Sequence, residues 1–339
     1  MLRSLSHLRS PPNPPLCIGF LAGIQSSGPS APFSDFDDAY DLLQGVLATD
    51  ASVIDCYEKD LWRESPRQKF VHSTKAISVI DTEIVGASKH RGAIRSLIHN
   101  RNPHLIQSSI IVPQVSAPGP ASAAPPPLTG LASTHLGGLA LALPLFQCVQ
   151  EKTPTIAICG AGGCSLPRLL AHHGAIVSCC EPCPDTIFAA TRFFGADDSF
   201  TIQLDDSHSF LSKSRDIDVL IIDAADSDAP PLSMRESNFW SSIVRPSLSL
   251  SGSIVATNFI GDLHALDNFL GILREVLDNH DTFAVSPPAE AGVSDRHKLL
   301  FAIPKNVDLS AQLMEKVVGK GYLDSEEKWL EMIAVAVAS

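Results

Sequence analysis

The chain has 339 residues, 45% hydrophobic and 18% charged, enough for one large domain with a smaller companion. Its 37 Asp and Glu against 25 Lys and Arg leave a formal net charge of -12, which argues against a nucleic-acid substrate held through its phosphates. No apolar stretch reaches spanning length, so no membrane partner is expected.

Residues 1–34 contain no Asp or Glu, carry Arg3 and Arg9, and are rich in Ser and Pro. Such a stretch reads as a disordered tail on a cytoplasmic protein or, alternatively, as an organelle transit peptide. Residues 35–112 follow with a helix pattern at 37–47 and strand patterns at 51–56, 76–84 and 105–112. Residues 113–127 are rich in Pro, Ala and Ser and read as a linker. From 128 to 304 the pattern alternates strand and helix, with strands expected at 155–159, 175–180, 199–204, 217–222, 252–257, 282–286 and 297–303. Only a loop separates the last two, which predicts an antiparallel hairpin closing a mostly parallel α/β sheet. The short apolar run 136–146 reads as a buried helix. Residues 305–339 read as two closing helices at 308–320 and 325–338.

The run from Ile156 to Leu170 contains the strongest signal. An apolar strand ends in Gly160, Gly162 and Gly163, and a helix with Pro167 near its first turn follows. Glycines let the backbone approach a ligand closely, and the helix start presents unpaired N–H groups. Glu181 ends the next strand, about 20 residues on, where a carboxylate can take both hydroxyls of a ribose. Asp206 follows the third strand, and Asp223 and Asp226 follow the fourth, so acids accumulate at the edge where open α/β sheets bind ligands. An NAD fingerprint would place a third glycine at Ser165, and the chain departs from it. An acid-rimmed Rossmann-like site suits S-adenosylmethionine, a phosphate-free sulfonium, better than a dinucleotide pyrophosphate.

Gly160-Ala-Gly-Gly-Cys-Ser-Leu-Pro167, Cys180-Glu-Pro-Cys-Pro184 and Ala189-Ala-Thr-Arg-Phe-Phe-Gly195 resemble the spermidine-synthase-like methyltransferases. Within that family the likeness is to the C-terminal half of the dual methyltransferases that modify a lysine and the N-terminus of elongation factor 1-alpha. It extends to Arg101–Ser108, His135–Leu141 and Ile254–Asn258. This resemblance implies a small N-terminal β-rich domain over 35–112 and a class I methyltransferase fold over 128–304. It also implies methyl transfer to a protein amine, with elongation factor 1-alpha as a candidate substrate, and leaves a homodimer open. Gln107 falls on the family's Gln-Ser motif as a cofactor contact, and Asp206 on its adenine-side acid. Aminopropyltransferases of the superfamily carry an aspartate that grips the aminopropyl amine, and Gly163 stands in its place here. Methyl transfer is therefore favoured over polyamine synthesis, and a catalytically silent scaffold is the remaining alternative.

Methyl transfer from a sulfonium needs mainly alignment of an amine lone pair. Asp223 and Asp226 are the candidates for orienting the incoming ammonium, and the Asn258 carbonyl is a further acceptor. The competing reading of each Asp is a helix N-cap. Five cysteines between Cys159 and Cys183 suit buried strand ends; no metal is expected, because they lack a second ligand pair at metal-binding spacing. The 12 histidines are scattered, and none forms a triad by spacing alone.

Overall fold

A computed structural model of the chain describes residues 68–85, 91–101, 106–113, 134–226, 229–250, 252–286 and 296–305. The leader, the helix and strand expected at 37–47 and 51–56, the linker and the C-terminal helices lie outside the described residues.

Four antiparallel strands form the first sheet, in the order β1 (Gln68–Ser73), β2 (Ile77–Val85), β3 (Arg91–His99) and β4 (Ile106–Pro113). β2 and β4 match the expected strands, whereas β1 and β3 were not anticipated. Arg95 on β3 stands opposite Asp81 on β2 and grips it through two hydrogen bonds of 2.7 and 2.8 Å. Such a two-pronged cross-strand pair fixes register as well as adding attraction. Ile77, Val79, Leu97 and Ile110 form this sheet's own small core, which Ala189 and Phe194 of the larger domain complete.

The second sheet has seven strands: β5 (Thr155–Cys159), β6 (Ile176–Cys180), β7 (Thr201–Gln203), β8 (Val219–Ile222), β9 (Ile254–Ile260), β10 (His280–Val285) and β11 (His297–Pro304). Their spatial order is β10-β11-β9-β8-β5-β6-β7. β5 to β9 pair in parallel, while β11 runs antiparallel to both neighbours, giving the expected closing hairpin. All four residues of β8 are buried, as a central parallel strand covered on both faces requires.

Alternate residues of β5 feed the two cores. Ile156 and Ile158 face α1 (Thr134–Ala140), α2 (Ala142–Val149) and α3 (Ser165–His172), whereas Ala157 and Cys159 share the opposite core with α5 (Ser207–Lys213) and α6 (Leu263–Val276). The apolar run expected as one buried helix is thus two consecutive buried helices, α1 and α2. α4 (Pro184–Phe193) carries Ala189 into the small core. Trp240 is wholly buried and its indole N–H donates to the Met234 carbonyl at 2.7 Å, so it serves the core. Among the described residues, no helix is long and apolar enough to cross a membrane. The fold is a Rossmann-like α/β domain of the class I methyltransferase type with a small β-rich sheet beside it.

Candidate active site

Strand order reverses at β5, which lies between β6 and β8, so the chain leaves β5 and β8 in opposite directions and a crevice opens at their carboxyl ends. A cavity of about 320 Å³ occupies this place. Gln107, Gly160, Gly162, Glu181, Asp206 and Asp223, drawn from β4 and the ends of β5, β6, β7 and β8, all line it. Six of the residues singled out in the sequence are therefore brought together by one topological feature.

The glycine turn is held on two sides. Gly160 has φ +95°, and a Cβ there would fall 2.7 Å from the Asp223 carbonyl oxygen. Gly163 lies behind the cavity wall, where its N–H donates to Ser108 Oγ at 2.7 Å. Ser108 in turn donates to the Gln107 carbonyl, also at 2.7 Å. A Cβ on Gly163 would fall 2.7 Å from Ser108 Cβ, so the small sheet sits directly on the loop. Cys164 adopts φ +63°, an uncommon left-handed conformation for a residue with a side chain.

Glu181 is buried at the end of β6 and its Oε1 accepts the Cys183 N–H at 3.0 Å. Burial lifts this carboxyl above the usual carboxylate range, while the N–H groups of Cys183, Gly162 and Ala161 oppose the rise. Asp206 is both a cavity residue and a cap: its Oδ1 accepts the Ser209 N–H at 2.9 Å and starts α5. Asp205 beside it is drawn to Lys213 at 2.7 Å, which holds its carboxyl below the ordinary value.

Asp223 does not cap a helix. Its Oδ1 accepts from Asn258 Nδ2 at 2.9 Å and lies 3.5 Å from His135 Nε2. Asn258 is buried, does not line the cavity, and its carbonyl accepts from His297 Nε2 at 2.7 Å. Asn258 thus stands behind Asp223 rather than on the cavity wall, with its amide N–H on Asp223 and its oxygen facing His297. Asp226 is exposed and is not part of the cavity lining, so the structure does not bring it to Asp223's side.

His135 and His297 are the residues that spacing did not reveal. Their rings stand 5.4 Å apart, one at the start of α1 and the other at the start of β11. Burial, with His135 beside it, pushes His297 down to about 4, against the pull of Asp223. The hydrogen-bond pattern fixes its tautomer: Asn258 spends its amide N–H on Asp223, so its oxygen must accept and His297 must carry the proton on Nε2. His99 also lines the cavity and touches Thr186 Oγ1 at 3.2 Å, with burial lowering its pKa.

The cysteines lie beneath the loop. Cys159 and Cys180 are partners across β5 and β6, and both are buried with Cys164 and Cys179. The Cys164 thiol and burial push Cys179 well above the ordinary thiol value, which disfavours the reactive thiolate. Among the described residues, no group of three or more His, Cys, Asp or Glu is placed to hold a metal ion.

No protein-family model matches the chain, and no curated protein matches it either. Solved structures do. A probable spermidine synthase from Corynebacterium glutamicum is 13% identical, with TM-score 0.52, covering 76% of this chain and 91% of that one. A spermidine synthase from Thermotoga maritima is 14% identical, with TM-score 0.50, covering 74% and 78%. Human methyltransferase-like protein 13, solved with SAH, is 21% identical over 58% of this chain and 90% of that one, with TM-score 0.44. At these identities the likeness to the two synthases is one of fold: a Rossmann-like sheet accompanied by a small β sheet.

Proposed function

We propose that this chain is an S-adenosylmethionine-dependent methyltransferase that methylates an amine, a lysine or N-terminal amine of a basic protein such as elongation factor 1-alpha. The observation that carries this reading is the chemistry of the cavity wall. Glu181, Asp206 and Asp223 line it, and among the described residues no Lys or Arg does. Three carboxylates without a cation repel a pyrophosphate and attract a ligand with a sulfonium and an ammonium. Glu181 suits the ribose hydroxyls and Asp206 the adenine side, and the glycine turn, where a side chain would collide with Asp223 or Ser108, keeps the loop packed tightly between them.

When bound, S-adenosylmethionine supplies an already activated methyl group. The protein's share is then alignment: Asp223 receives the acceptor ammonium at the cavity wall, and Asn258 holds the carboxylate in one orientation. Gly163, where the synthases place an acid for the aminopropyl amine, offers only its backbone, which supports methyl over aminopropyl transfer.

The test is incubation of the purified chain with methyl-labelled S-adenosylmethionine and purified elongation factor 1-alpha, followed by peptide mass spectrometry. Methylated lysine or N-terminal amine in the wild type, lost in D223N, is the expected result. Aminopropyl transfer from the decarboxylated cofactor to putrescine, with no methyl transfer, would replace this reading.

A further inference from the structure

Asp223, Asn258, His135 and His297 come from four different stretches of the chain yet gather in one polar group beside the cavity. His297 donates to the Asn258 oxygen at 2.7 Å, Asn258 donates to Asp223 Oδ1 at 2.9 Å, and His135 Nε2 stands 3.5 Å from that same oxygen. Asp223 lines the cavity; the other three do not. Orienting one carboxylate requires one partner, and Asn258 alone suffices for that. The His135 imidazole, half-buried and beside the same carboxylate oxygen, adds a titratable group that alignment of Asp223 does not itself require.

The chemistry of the proposed reaction supplies one. An amine arrives at neutral pH as an ammonium, with no lone pair, and must lose a proton before it can attack. A carboxylate binds an ammonium well but is too weak a base to hold its proton. An imidazole is the side chain suited to that near neutrality.

We propose that His135 is a positioning residue that receives, through Asp223, the proton of the acceptor ammonium, while His297 and Asn258 keep Asp223 aligned for the transfer. This rests on the reading of the site as an amine methyltransferase. The ammonium N–H bond breaks as an O–H bond forms on Asp223, and that proton passes on to His135 Nε2. The freed nitrogen lone pair forms the N–CH3 bond while the S–CH3 electron pair returns to sulfur, giving a neutral thioether and a methylammonium. His135 then releases the proton to solvent, leaving Asp223 charged for the next acceptor.

The groups facing this imidazole fit the role. Asp223 Oδ1 stands 3.5 Å from its Nε2, and His297 is held neutral by burial and by its donated hydrogen bond, so it does not compete for the proton. Lys298, next along β11, acts on His297 in the same direction, disfavouring its charged form.

The experiment is the pH profile of methyl transfer by the full chain, wild type against H135Q. The probe acceptor is the peptide Gly-Lys-Gly-Lys-Gly-Lys, which offers both an N-terminal and lysine amines. At pH 7 the variant is expected to lose about 100-fold in kcat, the lower end of the range for a positioned base. At pH 9.5, where the N-terminal amine of the probe is almost wholly neutral, the gap for its methylation should close to about threefold or less. Affinity for S-adenosylmethionine should be unchanged. A deficit of equal size at every pH would mark His135 as merely structural and overturn the proposal. Should H135Q unfold, H135A with added imidazole reads the same point: recovery at pH 7 supports the proposal, and none overturns it. A wild-type chain that binds the cofactor but methylates no amine at any pH would overturn the underlying reading instead, an outcome separate from the others.

Discussion

Acid should weaken this protein through His297 in a way that can be isolated. The imidazole has an ordinary value of 6.5 and is pushed down to about 4 in the fold, first by burial and then by His135. Between those values the unfolded chain binds a proton that the folded chain refuses, so stability falls as pH falls. The contribution is full above about pH 6.5 and gone by about pH 4, and the 2.5-unit difference corresponds to about 3 kcal/mol. Some 2 kcal/mol of this should already be lost at pH 5. H297N removes the titrating ring while keeping an N–H donor for Asn258. Chemical denaturation of both proteins at pH 7.5, 6 and 5 is the assay, scored as the difference between them. His99 and His280, also lowered by burial, act alike in both and cancel. The variant's deficit at pH 7.5 should shrink by about 2 kcal/mol at pH 5. Parallel stability curves would refute the burial argument for His297.

Gly160→Ala places a Cβ 2.7 Å from the Asp223 carbonyl oxygen at a positive φ, so it should cost about 1–3 kcal/mol and at least about tenfold in cofactor affinity. Thermal melts and calorimetry would show both, and an unchanged protein would mean the β5 turn is not held against β8. Lys152 reaches the buried Asp218 carboxylate at 2.8 Å, whereas Arg245 and Asp278 pair at 3.2 Å in the open. Lys152→Met should therefore cost about 1–3 kcal/mol by stranding a buried charge, and Arg245→Ala under about 0.5 kcal/mol. Denaturant midpoints that rank the two the other way would contradict this.

The larger sheet was legible because buried parallel strands are written as short apolar runs, and their ends fall at one edge by topology. That is why glycines after β5 and acids after β6, β7 and β8 converge as expected. β1 was not legible: Gln68, Lys69 and Phe70 are exposed on an edge strand, with an irregularity in register between Phe70 and His72. β3 interrupts its apolar residues with Arg95 and His99. The histidines escaped for a different reason. β11 runs against its neighbours, so its first residue rather than its last reaches the carboxyl edge of the parallel strands, and His297 pairs there with Ile260. Ring contact between His135 and His297 is a product of the closing hairpin, which no local spacing encodes. Asp226 shows the converse: proximity in sequence to Asp223 did not carry it into the cavity.

The most direct measurement is calorimetric titration of the full chain with S-adenosylmethionine and, separately, with its decarboxylated form. An acid-lined cavity closed by a glycine turn without the aminopropyl-gripping acid predicts micromolar binding of the carboxylated cofactor and markedly weaker binding of the other. Tighter binding of the decarboxylated form, or binding of neither, would contradict the assignment of this cavity to methyl transfer.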